Sequence, residues 1–383
     1  MAKSEKEQKR LNKLKDIKAY NKKQFKKLKK QTNRKNVPER EYLTKMKDDN
    51  NVLEIDNLHT FFYTDIGTVR AVDGVSFSIP KGKTIGVVGE SGCGKSVTSL
   101  SVMRILQEPQ GQIADGEIRF NQVDRNRAIN LVKTPIKEMQ NIRGGEISMI
   151  FQEPMTTLNP VFNIGKQLDE IIELHELNLT KKQVAARSVD MLDLVGIANS
   201  KRVYKMYPHE LSGGMRQRVV IGMALACNPR LIIADEPTTA LDVTIQAQIL
   251  ELLKDLKDKI NASIMLITHD LGVVAEMADE VVVMYAGRII EKGTAQDIFH
   301  NPSHPYTLGL MKSRPNFIGA DEKLYSIPGT VPNPIELPNH CYFRSRCNRA
   351  VEECRGAYPE MVSISPTHQV ACYLFNQKEK TNE

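Results

Sequence analysis

Short apolar runs, separated by segments with helical spacing, dominate the middle of the chain. Residues 52–58 and 69–79 alternate apolar and polar positions around a glycine-containing turn, which predicts an antiparallel strand pair. Four compact apolar runs follow: Thr84–Val88, Leu231–Asp235, Ser263–Ile267 and Glu280–Tyr285. Because they alternate with helical segments, they predict an α/β fold with a parallel sheet.

Helical periodicity is clearest between about residues 162 and 208. Ile164, Leu168, Ile171 and Ile172 recur at the spacing of one helix face, and residues 189–195 repeat the pattern. A further helix is predicted at 97–106. We therefore expect a main domain at 51–300 with a helical insert at about 162–208.

The last part of the chain differs in composition, because proline becomes frequent from about residue 301. Frequent proline interrupts regular secondary structure. We expect residues 301–383 to form an appended, loop-rich unit outside the sheet. No internal repeat is found.

The N-terminal 50 residues form a basic extension. They contain 18 Lys and Arg against 7 Asp and Glu, whereas the rest of the chain has a net charge of −4. The apolar stripe is interrupted, which indicates a solvated, frayed helix or a disordered arm. Contact with anionic lipid headgroups is a second interpretation and RNA binding a third. The mildly acidic body argues against a general nucleic-acid surface.

Membrane insertion and secretion are not indicated. No stretch approaches the roughly 18 apolar residues that a membrane helix needs. The N-terminus alternates Lys and Glu without the apolar core of a secretory signal. We therefore expect a cytoplasmic protein whose membrane role, if any, depends on a partner.

A glycine-rich loop directly follows the first compact strand. Its eight residues are Gly89, Glu90, Ser91, Gly92, Cys93, Gly94, Lys95 and Ser96. They fit the pattern G-x-x-x-x-G-K-S, in which backbone amides and a helix N-terminus face a phosphate group. Lys95 is expected to reach the β- and γ-phosphates of ATP, and the Ser96 hydroxyl to bind Mg²⁺.

Two adjacent carboxylates follow the strand Leu231–Asp235. Ligands of open α/β sheets bind at the carboxyl ends of the strands, where both carboxylates would lie. Asp235 is expected to take part in the coordination shell of Mg²⁺, and Glu236 is expected to polarise the attacking water.

A second glycine motif separates this chain from other proteins with a phosphate-binding loop. The segment 211–218, Leu-Ser-Gly-Gly-Met-Arg-Gln-Arg, resembles the signature motif of ABC transporter ATPases. The resemblance covers about 52–300. It implies that Ser212, Gly213 and Gly214 bind the phosphate of an ATP held by a facing subunit. Two subunits would thus sandwich two nucleotides.

The same resemblance assigns four further positions. Gln152 matches the loop that senses Mg²⁺ and the water and joins the helical insert. Ala240, Leu241 and Asp242 match the loop that crosses the dimer interface, and His269 matches the switch histidine of the γ-phosphate. An aromatic residue near the first hairpin would stack on adenine; Phe62 fits best and Tyr63 next.

The C-terminal part narrows the resemblance to oligopeptide/dipeptide importer ATPases. The segment 301–306, Asn-Pro-Ser-His-Pro-Tyr, precedes a cysteine set spaced C-x5-C-x6-C-x17-C, which comprises Cys341, Cys347, Cys354 and Cys372. In that group such a set ligates a [4Fe–4S] cluster. Thiolates suit iron–sulfur or zinc on chemical grounds, and free thiols are a third possibility.

The implied function is ATP hydrolysis that powers peptide import at the cytoplasmic face of the membrane. Its implied partners are two permease subunits, a second ATPase subunit and, indirectly, an external peptide-binding protein, but no nucleic acid. Alternatives are a nickel or other small-solute importer, a non-transport ABC ATPase working on DNA or ribosomes, and a regulatory module without catalysis. The presence of Glu236 and His269 argues against the last.

Overall fold

The computed structural model describes residues 2–32, 34, 37–122, 125–152, 154–239, 242–313, 325–335 and 337–375. In this part of the chain the strands are β1 Leu43–Thr44, β2 Asn51–Thr64, β3 Gly67–Pro80, β4 Thr84–Val88, β5 Gly111–Gln122, β6 Arg127–Asn130, β7 Ile147–Ile150, β8 Leu231–Asp235, β9 Ser263–Ile267, β10 Glu280–Tyr285, β11 Arg288–Thr294, β12 Val362–Ser363 and β13 Gln369–Val370. The helices are α1 Ala2–Thr32, α2 Lys95–Met103, α3 Ile136–Ile142, α4 Pro154–Thr157, α5 Ile164–His175, α6 Lys181–Leu194, α7 Ser200–Val203, α8 Gly213–Leu225, α9 Val243–Ile260, α10 Leu271–Met277, α11 Ala295–His300 and α12 Pro305–Lys312.

Two sheets organise these elements. An antiparallel sheet has the order β1-β6-β5-β2-β3, and a mixed sheet has the order β12-β13-β11-β10-β4-β9-β8-β7. Strands β10, β4, β9, β8 and β7 pair in parallel. Every residue of β4, β8 and β9 is buried, as expected for strands covered on both faces. The predicted α/β class and the antiparallel β2–β3 pair are confirmed.

The expectation that the chain after residue 301 stays outside the sheet is wrong for two short strands. β13 pairs with β11, placing Val370 opposite Glu291, and β12 pairs with β13. β11 follows β10 through a tight turn and runs antiparallel to it, so its outer edge would otherwise present unpaired amides. The C-terminal strands cover part of that edge.

The helix predicted at 97–106 begins and ends earlier than its apolar pattern indicates. Helix α2 ends at Met103 because Arg104 adopts the left-handed conformation, with φ of 50°. Its guanidinium donates to the carbonyl oxygen of Leu131, so a tertiary contact ends the helix.

The region predicted as a helical insert contains α5, α6 and α7. Asn163 caps α5, and Thr180 forms a capping box with Gln183 at the start of α6. The apolar faces of these helices pack with α8 in one buried cluster, which includes Leu168, Leu192 and Val219. The periodic apolar positions therefore face a common core.

The basic N-terminal segment forms the long helix α1, which contacts the antiparallel sheet. The rings of Tyr20 and Phe25 pack edgewise against Tyr63, and the Asn21 amide donates to the carbonyl oxygen of Thr64 at 3.0 Å. None of the helices in the described ranges has both the length and the apolar character of a membrane span.

A buried carboxylate joins the two sheets. Asp73 on β3 accepts from the Arg288 guanidinium of β11 at 2.8 Å and lies 3.0 Å from the His59 ring. The Tyr342 hydroxyl of the C-terminal region donates to it at 3.5 Å. Burial alone would raise the pKa of Asp73, but the bonds from His59 and Arg288 outweigh it and hold that pKa well below its usual range.

We expect Asp73→Asn to lower the free energy of unfolding by about 3 kcal/mol, because it leaves the Arg288 charge without its partner. Urea denaturation of the purified chain measures this change. Asp65→Asn is the matched control, since Asp65 is exposed in the β2–β3 turn. Equal stability of the two variants would contradict the assigned role of Asp73.

Candidate nucleotide site

The phosphate-binding loop lies between β4 and α2 against the backbone of two other segments. Gly94 has a φ of 102°, and a Cβ there would collide with the carbonyl oxygen of Ala71. A Cβ on Gly89 would collide with the carbonyl oxygen of Met284. Both positions therefore require glycine, and both also have the positive φ that favours it, 151° at Gly89 and 102° at Gly94.

Lys95 crosses the inside of this loop. Its ammonium group donates to the carbonyl oxygens of Gly89 at 2.7 Å and of Glu90 at 3.1 Å. Cys93 is buried in the core beneath the loop, and burial raises the pKa of its thiol. Ser91 and Gly92 are exposed on the open side. The loop thus offers its backbone and Lys95 as groups for ligand binding, whereas the Cys93 side chain packs in the core.

The residues expected to hold Mg²⁺ meet beside the loop. The Ser96 hydroxyl, in the first turn of α2, donates to a carboxylate oxygen of Asp235 at 3.1 Å. Asp235 is 5% exposed at the end of β8, and burial raises its pKa. A hydroxyl and a carboxylate side by side are oxygen donors of the kind that Mg²⁺ prefers.

Glu236 is the centre of a hydrogen-bond network at the same edge. Its carboxylate accepts from the Gln152 amide at 2.8 Å and the Thr239 hydroxyl at 3.0 Å, and lies 3.0 Å from the His269 ring. Burial tends to raise the pKa of Glu236, yet its bonds to His269 and Thr239 leave that pKa below its ordinary value. Glu236 is therefore ionised at neutral pH.

The register of the parallel strands explains why these groups meet. Ile150 pairs with Ala234 and Asp235 with Ile267, so β7, β8 and β9 end at the same level. Gln152 and His269 each follow their strand by two residues and Glu236 follows β8 by one. Thr239 was not predicted from the sequence, since a threonine three residues after a glutamate carries no specific signal.

The signature motif opens helix α8 at an exposed position. Ser212 is the N-cap and its hydroxyl accepts from the Met215 amide at 3.3 Å. A Cβ on Gly213 would meet no atom within 4 Å, so the helix start faces open space. The Gln217 amide donates to the carbonyl oxygen of Pro237, which couples α8 to the segment after Glu236. The hydrogen bonds of Ser212 do not involve the phosphate-binding loop.

The predicted interface loop is described in part. Asp242 is exposed and caps α9 by accepting from the Ile245 amide at 3.0 Å. Ala240 and Leu241 lie outside the described residues. The predicted roles of all three positions stay predictions.

The two candidates for adenine stacking differ in access. Tyr63 is 4% exposed because α1 covers its ring with Tyr20 and Phe25. Phe62 is half-buried, with its ring beside Gly111. Tyr63 therefore lacks an open ring face, and only Phe62 stays a candidate.

The four C-terminal cysteines converge on one small cavity. Cys341, Cys347, Cys354 and Cys372 all line it, and burial raises the pKa of Cys341 and of Cys372 to about 11. A set of four thiols is a suitable donor set for iron–sulfur or zinc. However, no group of three or more His, Cys, Asp or Glu side chains within the described ranges is arranged to hold a metal ion.

Two further residues reach the loop from the C-terminal region. The Arg346 guanidinium donates to the Glu90 carboxylate at 2.7 and 2.9 Å, and the Tyr306 hydroxyl accepts from the Glu90 amide at 2.7 Å. Neither contact was predicted from the sequence. Partners 256 and 216 positions apart leave no local pattern in the sequence.

This fold and site define an ATPase with a phosphate-binding loop, and the comparisons specify its family. The family model described as ABC transporter matches residues 72–239. A second model, the C-terminal region of oligopeptide/dipeptide transporters, matches residues 290–354. Relatives 50% identical to it over 85% of its length complete this evidence, so the chain belongs to the ABC transporter family.

Two relatives from Bacillus subtilis (strain 168) are each 50% identical over 327 residues, which are 85% of this chain. They are the oligopeptide transport ATP-binding protein AppD, of which 98% is covered, and the dipeptide transport ATP-binding protein DppD, of which 96% is covered. A solved dimeric ATP-binding cassette bound to ADP and Pi has the same fold, with a TM-score of 0.56. It is 24% identical and covers 63% of this chain and 98% of its own.

We expect Gly94→Ala to weaken ATP binding at least about tenfold, because the added Cβ must displace either the loop or the Ala71 backbone. Titration with a fluorescent ATP analogue measures the affinity. The control is Gly222→Ala in α8, where the new Cβ would make ordinary contacts of 3.4 to 3.6 Å. Unchanged affinity in the Gly94 variant would show that the loop does not bind the nucleotide.

Proposed function

We propose that this chain is the ATP-hydrolysing subunit that powers import of oligopeptides or dipeptides through a separate membrane permease. The proposal rests on one observation: Glu236 contacts both Gln152 and His269 beside the phosphate-binding loop. The relatives, named as oligopeptide and dipeptide transport ATP-binding proteins, support a peptide cargo over nickel or another small solute.

In this proposal Lys95 binds the β- and γ-phosphates, and Ser96, Asp235 and Gln152 hold Mg²⁺. The Ser96–Asp235 hydrogen bond supports a shared metal shell, because it places two oxygen donors 3.1 Å apart. Mg²⁺ supplies positive charge that offsets the charge on the phosphate oxygens.

Glu236 orients and polarises the attacking water, and His269 contacts the γ-phosphate. The lowered pKa of Glu236 keeps its carboxylate ionised and able to accept a proton from water. Gln152 connects this centre to the helical insert, since it follows β7 and precedes α4 and α5. Nucleotide-dependent movement would reach the permease by this route.

Each complete site forms between two ATPase subunits. Helix α8 starts at Ser212, Gly213 and Gly214, of which Ser212 and Gly213 are exposed. This supports the proposal, because the amides of a helix N-terminus suit a phosphate of the facing subunit's ATP. Asp242 lies in the proposed interface loop, and Phe62 stacks on adenine. The second subunit is another copy or a similar ATPase.

The assembly has two permease subunits, and an external peptide-binding protein delivers the cargo. The chain sits at the cytoplasmic face of the membrane. We also propose a three-part organisation: the basic extension 1–50, the ATPase domain 51–300 with its insert at about 162–208, and the C-terminal unit 301–383. The two family matches, at 72–239 and 290–354, support the last two parts.

We expect Glu236→Gln to retain ATP binding and lose at least about a hundredfold in turnover, because the amide cannot accept the proton from water. Phosphate release at saturating ATP measures the rate, and nucleotide titration measures binding. Glu251→Gln, on the exposed side of α9, is the control. Normal turnover of the Glu236 variant would overturn the assignment of the base.

We further propose that Cys341, Cys347, Cys354 and Cys372 hold a [4Fe–4S] cluster. Their shared cavity supports the proposal. Zinc is the alternative, because thiolates suit it equally well. A bound cluster would crosslink the loop-rich C-terminal unit at four points.

Protein purified without oxygen is expected to be brown, with broad visible absorption and about four irons per chain. Cys354→Ser should lose most of that iron, because Cys354 is one of the four proposed ligands. Cys227→Ser should keep the iron, because Cys227 packs beside Ile172 and Val184 and does not line the cavity. A colourless, iron-free wild-type sample would contradict the cluster, and stoichiometric zinc in its place would identify the alternative.

A further inference from the structure

Glu90, the second residue of the phosphate-binding loop, is held from two sides by the C-terminal region. The Arg346 guanidinium forms two parallel hydrogen bonds to its carboxylate, at 2.7 and 2.9 Å. The Tyr306 hydroxyl accepts from its backbone amide at 2.7 Å. Paired bonds from one guanidinium fix both distance and orientation.

Arg346 is also held in place by contacts other than Glu90. Its side chain is 3% exposed, and its Nε donates to the carbonyl oxygen of Pro328 at 2.8 Å. The rings of Tyr285 and Phe343 lie 5.8 Å from the guanidinium carbon. The arginine therefore acts as a rigid support, and little further side-chain entropy is lost when it binds Glu90.

Tyr306 is equally constrained. It is fully buried, and its ring packs against Tyr285 and Phe343 with centroid distances of 4.7 and 5.4 Å. One aromatic cluster thus positions both groups that hold Glu90. The cluster belongs to the β10 end and the C-terminal region, so the support comes from outside the loop.

On its other side Glu90 faces the nucleotide site. Its carbonyl oxygen accepts from Lys95, the residue that is to bind the phosphates. The amides of a phosphate-binding loop bind well only when they already point inward, since ordering a loose loop costs binding free energy. A support on Glu90 reduces that cost.

We propose that Arg346 and Tyr306 are positioning residues that hold the phosphate-binding loop in its binding shape. The C-terminal unit thereby sets the affinity for ATP. This inference rests on the proposed function, in which the loop binds ATP. It predicts an effect on affinity rather than on the chemical step, because Glu236 is held separately by Gln152, Thr239 and His269.

The test measures the dissociation constant of AMP-PNP with Mg²⁺, and turnover at saturating ATP, on the full-length chain. Arg346→Gln is expected to weaken binding about five- to tenfold, and Tyr306→Phe about two- to threefold, with turnover within about twofold of wild type. The matched control is Arg355→Gln, which removes an exposed arginine of the same unit that pairs with Glu352. It should bind as wild type does.

A double-mutant cycle separates positioning from general damage. Glu90→Gln alone should weaken binding to the same degree as Arg346→Gln, and the double variant no further, because both remove one interaction. Additive losses, or wild-type affinity in Arg346→Gln and Tyr306→Phe, would overturn the inference.

Two further results also decide the question. Should Arg346→Gln not fold, Tyr306→Phe and Glu90→Gln remain, and wild-type affinity in both would refute the proposal. Wild-type protein that binds no AMP-PNP would refute the proposed function itself. That result is distinct from a normal wild type whose variants do not differ.

Discussion

The site depends on one constraint: the parallel strands β4, β7, β8 and β9 end at a common level of the sheet. The phosphate-binding loop follows β4, Gln152 follows β7, Asp235 and Glu236 lie at the end of β8, and His269 follows β9. These four segments are far apart in sequence. Their contacts of 2.8 to 3.1 Å follow from strand register, so a shift of one strand by one residue would separate them.

The C-terminal region is joined to this frame at three separate points. β13 pairs with β11, Tyr342 reaches Asp73 between the two sheets, and Arg346 and Tyr306 hold Glu90 on the loop. Each contact links a different part of the main body, so the region cannot move as an independent appendage without breaking all three. The cysteine cavity is built from the same segment, with Cys347 directly after Arg346.

Much of the frame could be predicted because its signals are local. Fully buried strands leave continuous apolar runs, and β4, β8, β9 and β10 have the predicted bounds. The phosphate-binding and signature motifs combine specific residue types at fixed spacing, which chance seldom reproduces. The contacts that were missed are tertiary: Thr239 on Glu236, the Arg346 support, the early end of α2 at Arg104 and the docking of α1 on Tyr63. The proline-rich composition likewise did not predict the short strand β13. Its extended conformation depends on pairing with β11, which is a tertiary contact.

The most direct test of the account is a crystal structure of the full-length Glu236→Gln chain with ATP and Mg²⁺. We predict that the Lys95 ammonium leaves the carbonyl oxygens of Gly89 and Glu90 for the β- and γ-phosphates. Ser96 and Asp235 should then share the metal ion, and the Glu90–Arg346 pair should stay intact. ATP bound elsewhere, with Lys95 still on its own loop, would contradict it.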